Sequence, residues 1–344
     1  MRIGILTHPL HFNYGGIMQC YALSNILQKQ GHEVFVLDRQ TNQAPLWKRA
    51  IIAVFKALGI KRFMSPTAHK SELIIPFVAK NISRTQPIRS DKQIRKIAKR
   101  LKLNAVIVGS DQVWRQDFAM QFGYNYFLDF VGDDVLKVSY AASFGLSEWR
   151  YDEEQTNHIR QYLSHFSSIS VRESEAVELC KYNLGLDVKQ VLDPTLLLQA
   201  SDYATVSSFR LIDVPYVFVY WLGDKRGMDE AISKYVNENP IRVISVNLRD
   251  NSVLPSVEDW ISYFRYADVV LTDSFHGCAF SIVFQRNLRV YPNESGGLGR
   301  IKSLFSEIGI NGTSISQSDF YSIEHKLRPL RELSLSFLTE ALSK

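Results

Sequence analysis

Within Val269-Val270-Leu271-Thr272-Asp273-Ser274-Phe275-His276-Gly277-Cys278-Ala279-Phe280-Ser281, an apolar run ends in a small polar turn and a helical stretch begins at once. A strand passing directly into a helix is the building unit of a parallel sheet, because parallel neighbours need a crossover connection. The first backbone N–H groups of such a helix have no internal partner and form a ready anion site. His276 falls in that first turn, where an imidazole can give or take a proton near neutral pH. The segment reads as a place where a histidine handles an anionic substrate. The competing reading is a histidine that only caps or packs.

The same unit recurs along the chain. Residues 2–7 read as a strand, a loop with Asn13-Tyr14-Gly15-Gly16 leads to a helix near 17–30, and Glu33–Asp38 is a second strand. Ala105–Gly109, Val135–Ala141, Ser168–Val171 and Val188–Leu192 continue the series, with helices near 152–165 and from Glu173. The pattern restarts at Tyr216–Tyr220 and runs on through strands near 242–246 and 268–272. Short apolar strands separated by helices imply parallel sheets covered on both faces. At 344 residues the chain is too long for one ordinary core. The expected fold is α/β, with two doubly wound, Rossmann-like domains facing a cleft, the arrangement called GT-B. The expected division is an N-terminal domain over 1–205 with an insertion at 45–102, a C-terminal domain over 206–320, and a helix at 321–344 packing back on the first. The linker is placed in Ser201–Pro215.

A hydrophobic fraction of 46% and a charged fraction of 22% suit a folded soluble protein. The chain opens directly on a strand, without the pattern of a secretory signal, and no apolar run reaches the roughly 20 residues that cross a bilayer. Cys20, Cys180 and Cys278 are scattered, with no CxxC pair, which argues against a disulfide framework or structural zinc. A cytoplasmic location is expected. The net charge of +5 conceals an asymmetry: residues 45–102 hold 15 Lys and Arg against Glu72 and Asp91. Inside that segment, apolar Ala50–Ile60 is flanked by Lys48, Arg49, Lys61 and Arg62. A basic apolar helix of this kind lies on an anionic membrane, here the inner face, or is a solvated insertion packed on its domain. No RNA-binding aromatic strand or zinc-finger spacing accompanies the charge, so no nucleic-acid partner is expected.

In doubly wound sheets, ligands gather at the carboxyl ends of strands. Four loops there carry useful chemistry. The glycines of Asn13-Tyr14-Gly15-Gly16 let backbone approach a ligand, or simply make a tight turn. In Gly109-Ser110-Asp111-Gln112-Val113-Trp114 a carboxylate, an amide and an indole suit a sugar; the alternative is a capping Ser or Asp beside a packed Trp114. Arg172 follows a buried strand and either binds a carboxylate or phosphate or forms an ion pair with Glu173 or another acid. The fourth loop is Asp273–Gly277.

These segments, with Tyr140-Ala141-Ala142-Ser143-Phe144-Gly145 and Leu192-Asp193-Pro194-Thr195, resemble the polysaccharide pyruvyl transferase family, in that family's order and across nearly the whole chain. The resemblance implies a GT-B-like fold and transfer of pyruvate from phosphoenolpyruvate to a pair of sugar hydroxyls, giving a cyclic ketal. The glycan is then a capsule, exopolysaccharide or other surface polymer, and the acceptor a sugar or lipid-linked oligosaccharide. Arg172 and His276 match the family's donor-binding arginine and functional histidine.

The residues fit that chemistry. Phosphoenolpyruvate carries a carboxylate and a phosphate, so the expected donor site is Arg172 with Ser274, Phe275, His276 and Gly277, and Arg300 as a second cation. Asn13, Tyr14, Gly15, Gly16, Asp111, Gln112 and Trp114 are the expected acceptor contacts. Proton transfer near neutral pH falls to His276. No cofactor beyond phosphoenolpyruvate as co-substrate is expected, and no metal, since no cluster has ligand spacing. Two competitors remain open: a nucleotide-sugar glycosyltransferase of the same fold, and a non-catalytic sugar-binding or assembly protein held at the membrane. Glu324 and Glu332 have the eight-residue spacing of a retaining transferase but lie on the expected C-terminal helix.

Overall fold

The computed structural model describes residues 1–41, 70–250, 253–291 and 298–344. Ala105–Asp111 (β3) is buried at every residue, as a strand covered on both faces should be. With Arg2–Leu6 (β1), Glu33–Val36 (β2), Leu136–Ala142 (β4), Ser168–Val171 (β5) and Lys189–Gln190 (β6), it forms a six-stranded parallel sheet in the order β2-β1-β3-β4-β5-β6. A second sheet of five strands has the order β11-β10-β9-β7-β8. Its members are Tyr216–Trp221 (β7), Arg242–Asn247 (β8), Val269–Thr272 (β9), Asn287–Val290 (β10) and Ser314–Ile315 (β11). Pairing is parallel except between β10 and β11. This is the expected α/β fold with two Rossmann-like sheets. The sequence reading did not anticipate β10 and β11.

Among the described residues, the first part has the helices Tyr14–Lys29 (α1), Ile75–Asn81 (α2), Asp91–Leu101 (α3), Glu153–Leu163 (α4), Ser174–Leu179 (α5) and Ala200–Ala204 (α6), besides one turn of helix at Gln116–Ala119. Those of the second are Lys225–Glu238 (α7), Val257–Tyr266 (α8), Phe275–Val283 (α9), Leu298–Glu307 (α10) and Phe320–Leu342 (α11). α1 starts earlier than expected because Asn13 caps it: the side chain accepts the Gly16 N–H at 3.3 Å. The two glycines therefore belong to the first helical turn and not to a loop. α1 is buried on nearly every side, wedged between its own sheet and the second half of the molecule.

α11 returns to the first sheet. Ser334 Oγ accepts the Leu192 N–H at 3.0 Å, Arg331 Nε donates to the Leu196 carbonyl at 2.7 Å, and the Phe337 ring meets Tyr140. Glu324 on this helix pairs with Arg331 at 2.6 Å. Cys20, Cys180 and Cys278 are buried free thiols. The apolar stretch Ala50–Ile60 with Lys48, Arg49, Lys61 and Arg62 lies outside the described residues. Among the described residues, no helix is long and apolar enough to cross a membrane.

Candidate active site

Each sheet changes direction of growth once. In the first sheet the chain leaves β1 for β2 on one side and then crosses to β3 on the other; in the second it leaves β7 for β8 and then β9. A crevice forms at the carboxyl end of such a switch point, where the two adjoining loops part. Here the two crevices face each other. The first contributes Asn13, Asp111 and Gln112, the second Leu222, Asp273, Ser274, Phe275 and His276. Between them lies a cleft of about 180 Å³, also edged by Arg115, Arg249 and Arg300.

The second-sheet wall is held by hydrogen bonds. Asp273 accepts the Leu222 and Gly223 N–H groups at 2.8 and 2.7 Å, tying the two switch-point loops together. Ser274 caps α9 by accepting from the Gly277 N–H at 3.4 Å. Gly277 is required by packing, since a Cβ there would run into the Thr272 side chain. His276 thus stands in the first turn of α9, 6% exposed. Its ring lies directly over Gly15 of α1, in the space a Cβ at that position would need. Nε2 makes no hydrogen bond and faces Asp193 Oδ2 at 3.8 Å. A carboxylate at that distance is a negative partner for the charged form of the ring.

Asp193 is fully enclosed. Oδ2 accepts from Arg172 at 2.8 Å and Ser110 Oγ at 3.0 Å; Oδ1 accepts from the Thr195 N–H and hydroxyl at 3.0 and 2.7 Å. Burial alone would push its pKa up. His276, Arg172 and the Thr195 N–H outweigh burial and hold the carboxyl well below its ordinary range.

Arg172 corrects one expectation. Its side chain is 2% exposed and does not reach the cleft wall. It is surrounded by Asp193 at 2.8 Å, Glu173 at 3.5 Å and Asp111 at 3.8 Å, and its guanidinium lies over the Phe275 ring, 4.5 Å from the centroid. Burial lowers its pKa, and the three acids outweigh that and raise it above the ordinary arginine value. Its Nε and Nη2 make no hydrogen bond among the described residues. Arg172 fixes Asp193 and Phe275 from beneath the cleft, the ion-pair alternative extended to three acids.

Two acceptor assignments are also corrected. Trp114 is fully buried, stacks on Phe127 and donates Nε1–H to the Tyr126 carbonyl at 3.0 Å, so it presents no face to a sugar. Tyr14 is buried against the second half of the molecule, stacked on Trp260 at 4.9 Å with its hydroxyl donating to the Pro255 carbonyl at 2.6 Å. Gly15 and Gly16 are buried, the first beneath His276 and the second beside Asp111. Asn13, Asp111, Gln112, Ser274, Phe275, His276 and Arg300 do line the cleft. Burial, the dominant influence on Arg300, and the nearby Arg172 charge pull its pKa down to about 10.

Three residues were missed. Arg249 follows β8 just as Arg172 follows β5, so the rule that singled out one finds the other. Arg115 follows Trp114 in the β3 loop and bonds to Gln112 Oε1 at 3.3 Å. His8 follows β1; its Nδ1 is 3.4 Å from the Tyr126 hydroxyl and its Nε2 has no hydrogen-bond partner. Burial holds His8 below the ordinary imidazole value, against the pull of Asp111. Among the described residues, no group of three or more His, Cys, Asp or Glu is placed to hold a metal ion.

A family model described as polysaccharide pyruvyl transferase matches residues 13–295. No curated protein matches the chain. Among solved structures, the chain is similar in fold to a putative UDP-N-acetylglucosamine 2-epimerase from Listeria monocytogenes, with a TM-score of 0.51, 12% identity, and 98% of this chain and 90% of that one covered. A UDP-GlcNAc 2-epimerase from Methanocaldococcus jannaschii gives a TM-score of 0.47 at 12% identity, over 95% of this chain and 93% of that one. The spinosyn forosaminyltransferase SpnP gives 0.48 at 11%, over 100% of both chains. The first of these matches, with the sheet topology, marks the fold as GT-B-like.

Proposed function

The chain belongs to the polysaccharide pyruvyl transferase family, and on that premise we propose that it moves pyruvate from phosphoenolpyruvate to two hydroxyls of a sugar, closing a cyclic ketal in a surface glycan. The observation that carries this reading is the cleft itself. Arg115, Arg249, Arg300 and the first turn of α9 edge one small space, and His276 lines it. A trianionic donor suits those cations, and enol chemistry needs a nearby proton.

In the proposed reaction His276 gives a proton to C3, which becomes the methyl carbon. C2 turns cation-like and the first hydroxyl oxygen bonds to it. The C2–phosphate bond then breaks and the second hydroxyl closes the ring. Of the two hydroxyl protons, one restores His276 and the other leaves on phosphate. Asp193, fixed by Arg172, Ser110 and Thr195, lies 3.8 Å from Nε2 and would steady the imidazole while its proton is exchanged. Phosphoenolpyruvate is the only co-substrate in this scheme.

The reading extends to a cytoplasmic enzyme working at an anionic membrane on a lipid-linked acceptor. What supports that extension is α3. Its exposed Lys92, Lys96, Lys99 and Arg100, followed by Lys102, form no ion pair among the described residues.

The test is thermal. A ligand that binds only the folded chain stabilises it by mass action, so phosphoenolpyruvate should raise Tm where nucleotide sugars do not. Incubation with a panel of galactosides, glucosides and mannosides should then release phosphate and add pyruvate by mass. Stabilisation by a nucleotide sugar alone would overturn the reading in favour of glycosyl transfer.

A further inference from the structure

Most carboxylates near the cleft are occupied. Asp193 takes four hydrogen bonds and Asp273 ties two loops; Glu173 Oε1 accepts from Ser143 Oγ at 2.6 Å while its Oε2 is sealed in the interior without a hydrogen bond among the described residues. Asp111 differs. Oδ1 accepts the Gln112 N–H at 2.9 Å and lies 3.8 Å from Arg172. Oδ2 lies over Gly16, accepts no hydrogen bond among the described residues, and is open to the cleft rather than sealed. A carboxylate oxygen that the fold leaves without a hydrogen-bond donor is free to face whatever enters the cleft.

The backbone is unusual at the same spot. Asp111 has φ 78°, and Ala141, next to its cross-strand partner Ala142, has φ 49°. The left-handed region is unfavourable for residues with a Cβ, and such outliers persist where the surroundings impose them, often at functional sites. Ser110 Oγ lies 3.0 Å from both the Ala141 carbonyl and Asp193 Oδ2 and shares its one proton between them, linking Ala141 to the network that carries His276. The fold therefore holds an incompletely paired carboxylate, on two strained strand ends, at the switch point facing the histidine.

We propose that Asp111 is a catalytic residue whose carboxylate stabilises the positive charge that develops at C2 of the pyruvyl group. The role rests on the function proposed above and replaces a simple acceptor contact. Protonating C3 and bonding oxygen to C2 passes through an oxocarbenium-like arrangement, and a fixed negative charge aimed at it lowers the barrier without transferring an atom or proton. Such preorganised electrostatics act strongly in a water-poor site. The carboxylate must stay ionised to serve. Burial favours the neutral form, but His8, Arg172, His276 and Arg300, the charged and titratable groups facing it, outweigh burial and hold its pKa below the ordinary value.

The experiment compares Asp111→Asn and Asp111→Gly with the wild type for Tm, for the Tm shift given by phosphoenolpyruvate, and for turnover with a competent acceptor. Asparagine keeps shape and tolerates positive φ; glycine removes the conformational penalty. Both variants should lose at least roughly a hundredfold in turnover. Both should keep the phosphoenolpyruvate shift, and both should still unfold in one transition, only a few degrees below the wild type, because Arg172 keeps its 2.8 Å bond to Asp193. Turnover within tenfold of wild type in the asparagine variant would sink the proposal. So would lost turnover accompanied by a Tm drop of many degrees in both variants, since that is a structural carboxylate. A wild type that neither binds nor consumes phosphoenolpyruvate would instead overturn the functional reading, and this role with it.

Discussion

Arg172 and the acids around it form a closed group in which removing one member exposes the others. Arg172→Ala leaves Asp193, Glu173 and Asp111 buried without their shared cation, and breaking a buried pair in this way costs about 3–5 kcal/mol. Urea denaturation should show it as a lower midpoint. Changing His276 to Gln should cut turnover at least roughly a hundredfold while leaving that midpoint near wild type. Acid should unfold the protein in a particular order. His8 is held below its ordinary value, so the unfolded chain binds protons first and stability declines as pH falls below about 6.5. Asp193 and Asp111 are held low as well, so their stabilisation is complete above about pH 4 and lost as pH falls further. Calorimetric Tm between pH 8 and 3 should show both stages. Sequence placed His276 and Asp111 correctly at strand ends because the strand-to-helix pattern fixes where a chain emerges. It misjudged Trp114, Tyr14 and Arg172 because emergence does not fix direction: an indole after β3 can turn to the cleft or the core, and only packing against Phe127 decides.

Among the elements, α3 and α10 carry predictions of their own. α3 buries Ile94 and turns Lys92, Lys96, Lys99 and Arg100 outward, while Arg95 pairs with Asp129 at 3.3 Å. Binding to phosphatidylglycerol vesicles at low salt should weaken sharply on changing those four to Glu, each basic residue near the surface being worth about 1 kcal/mol. Unchanged cosedimentation would move the contact elsewhere. At the end of α10, burial pushes half-buried Glu307 up to about 7, where the helix dipole is also unfavourable to a negative charge. Because the folded chain keeps this proton longer than the unfolded one, its contribution is complete below about pH 4.3 and lost as pH rises through 7. Glu307→Gln should therefore raise Tm at pH 8 and do little at pH 4. β7 and β9 were legible as apolar runs. β10, Asn287-Leu288-Arg289-Val290, alternates buried and outward residues over four positions, too few for periodicity to separate it from a loop.

Across the whole molecule, the two halves meet through α1. Tyr14 stacks on Trp260 of α8, and Gly15 receives the ring of His276 from α9. Tyr14→Ala should cost about 3–5 kcal/mol, as truncation of a buried aromatic does. Gly15→Ala should act differently: the methyl displaces the imidazole, so turnover falls while Tm moves little. A Tm loss as large as that of the Tyr14 variant would contradict this division of roles. α11 brings a different consequence, one of timing. The face of the first sheet at Tyr140 and Leu192 is covered by residues about 140 to 200 positions further along. A ribosome that has finished all six strands of that sheet has not yet made their lid. The nascent first half must wait, apolar face open, until the second sheet has emerged. Chaperone demand should therefore track translation of the last third of the message rather than the first.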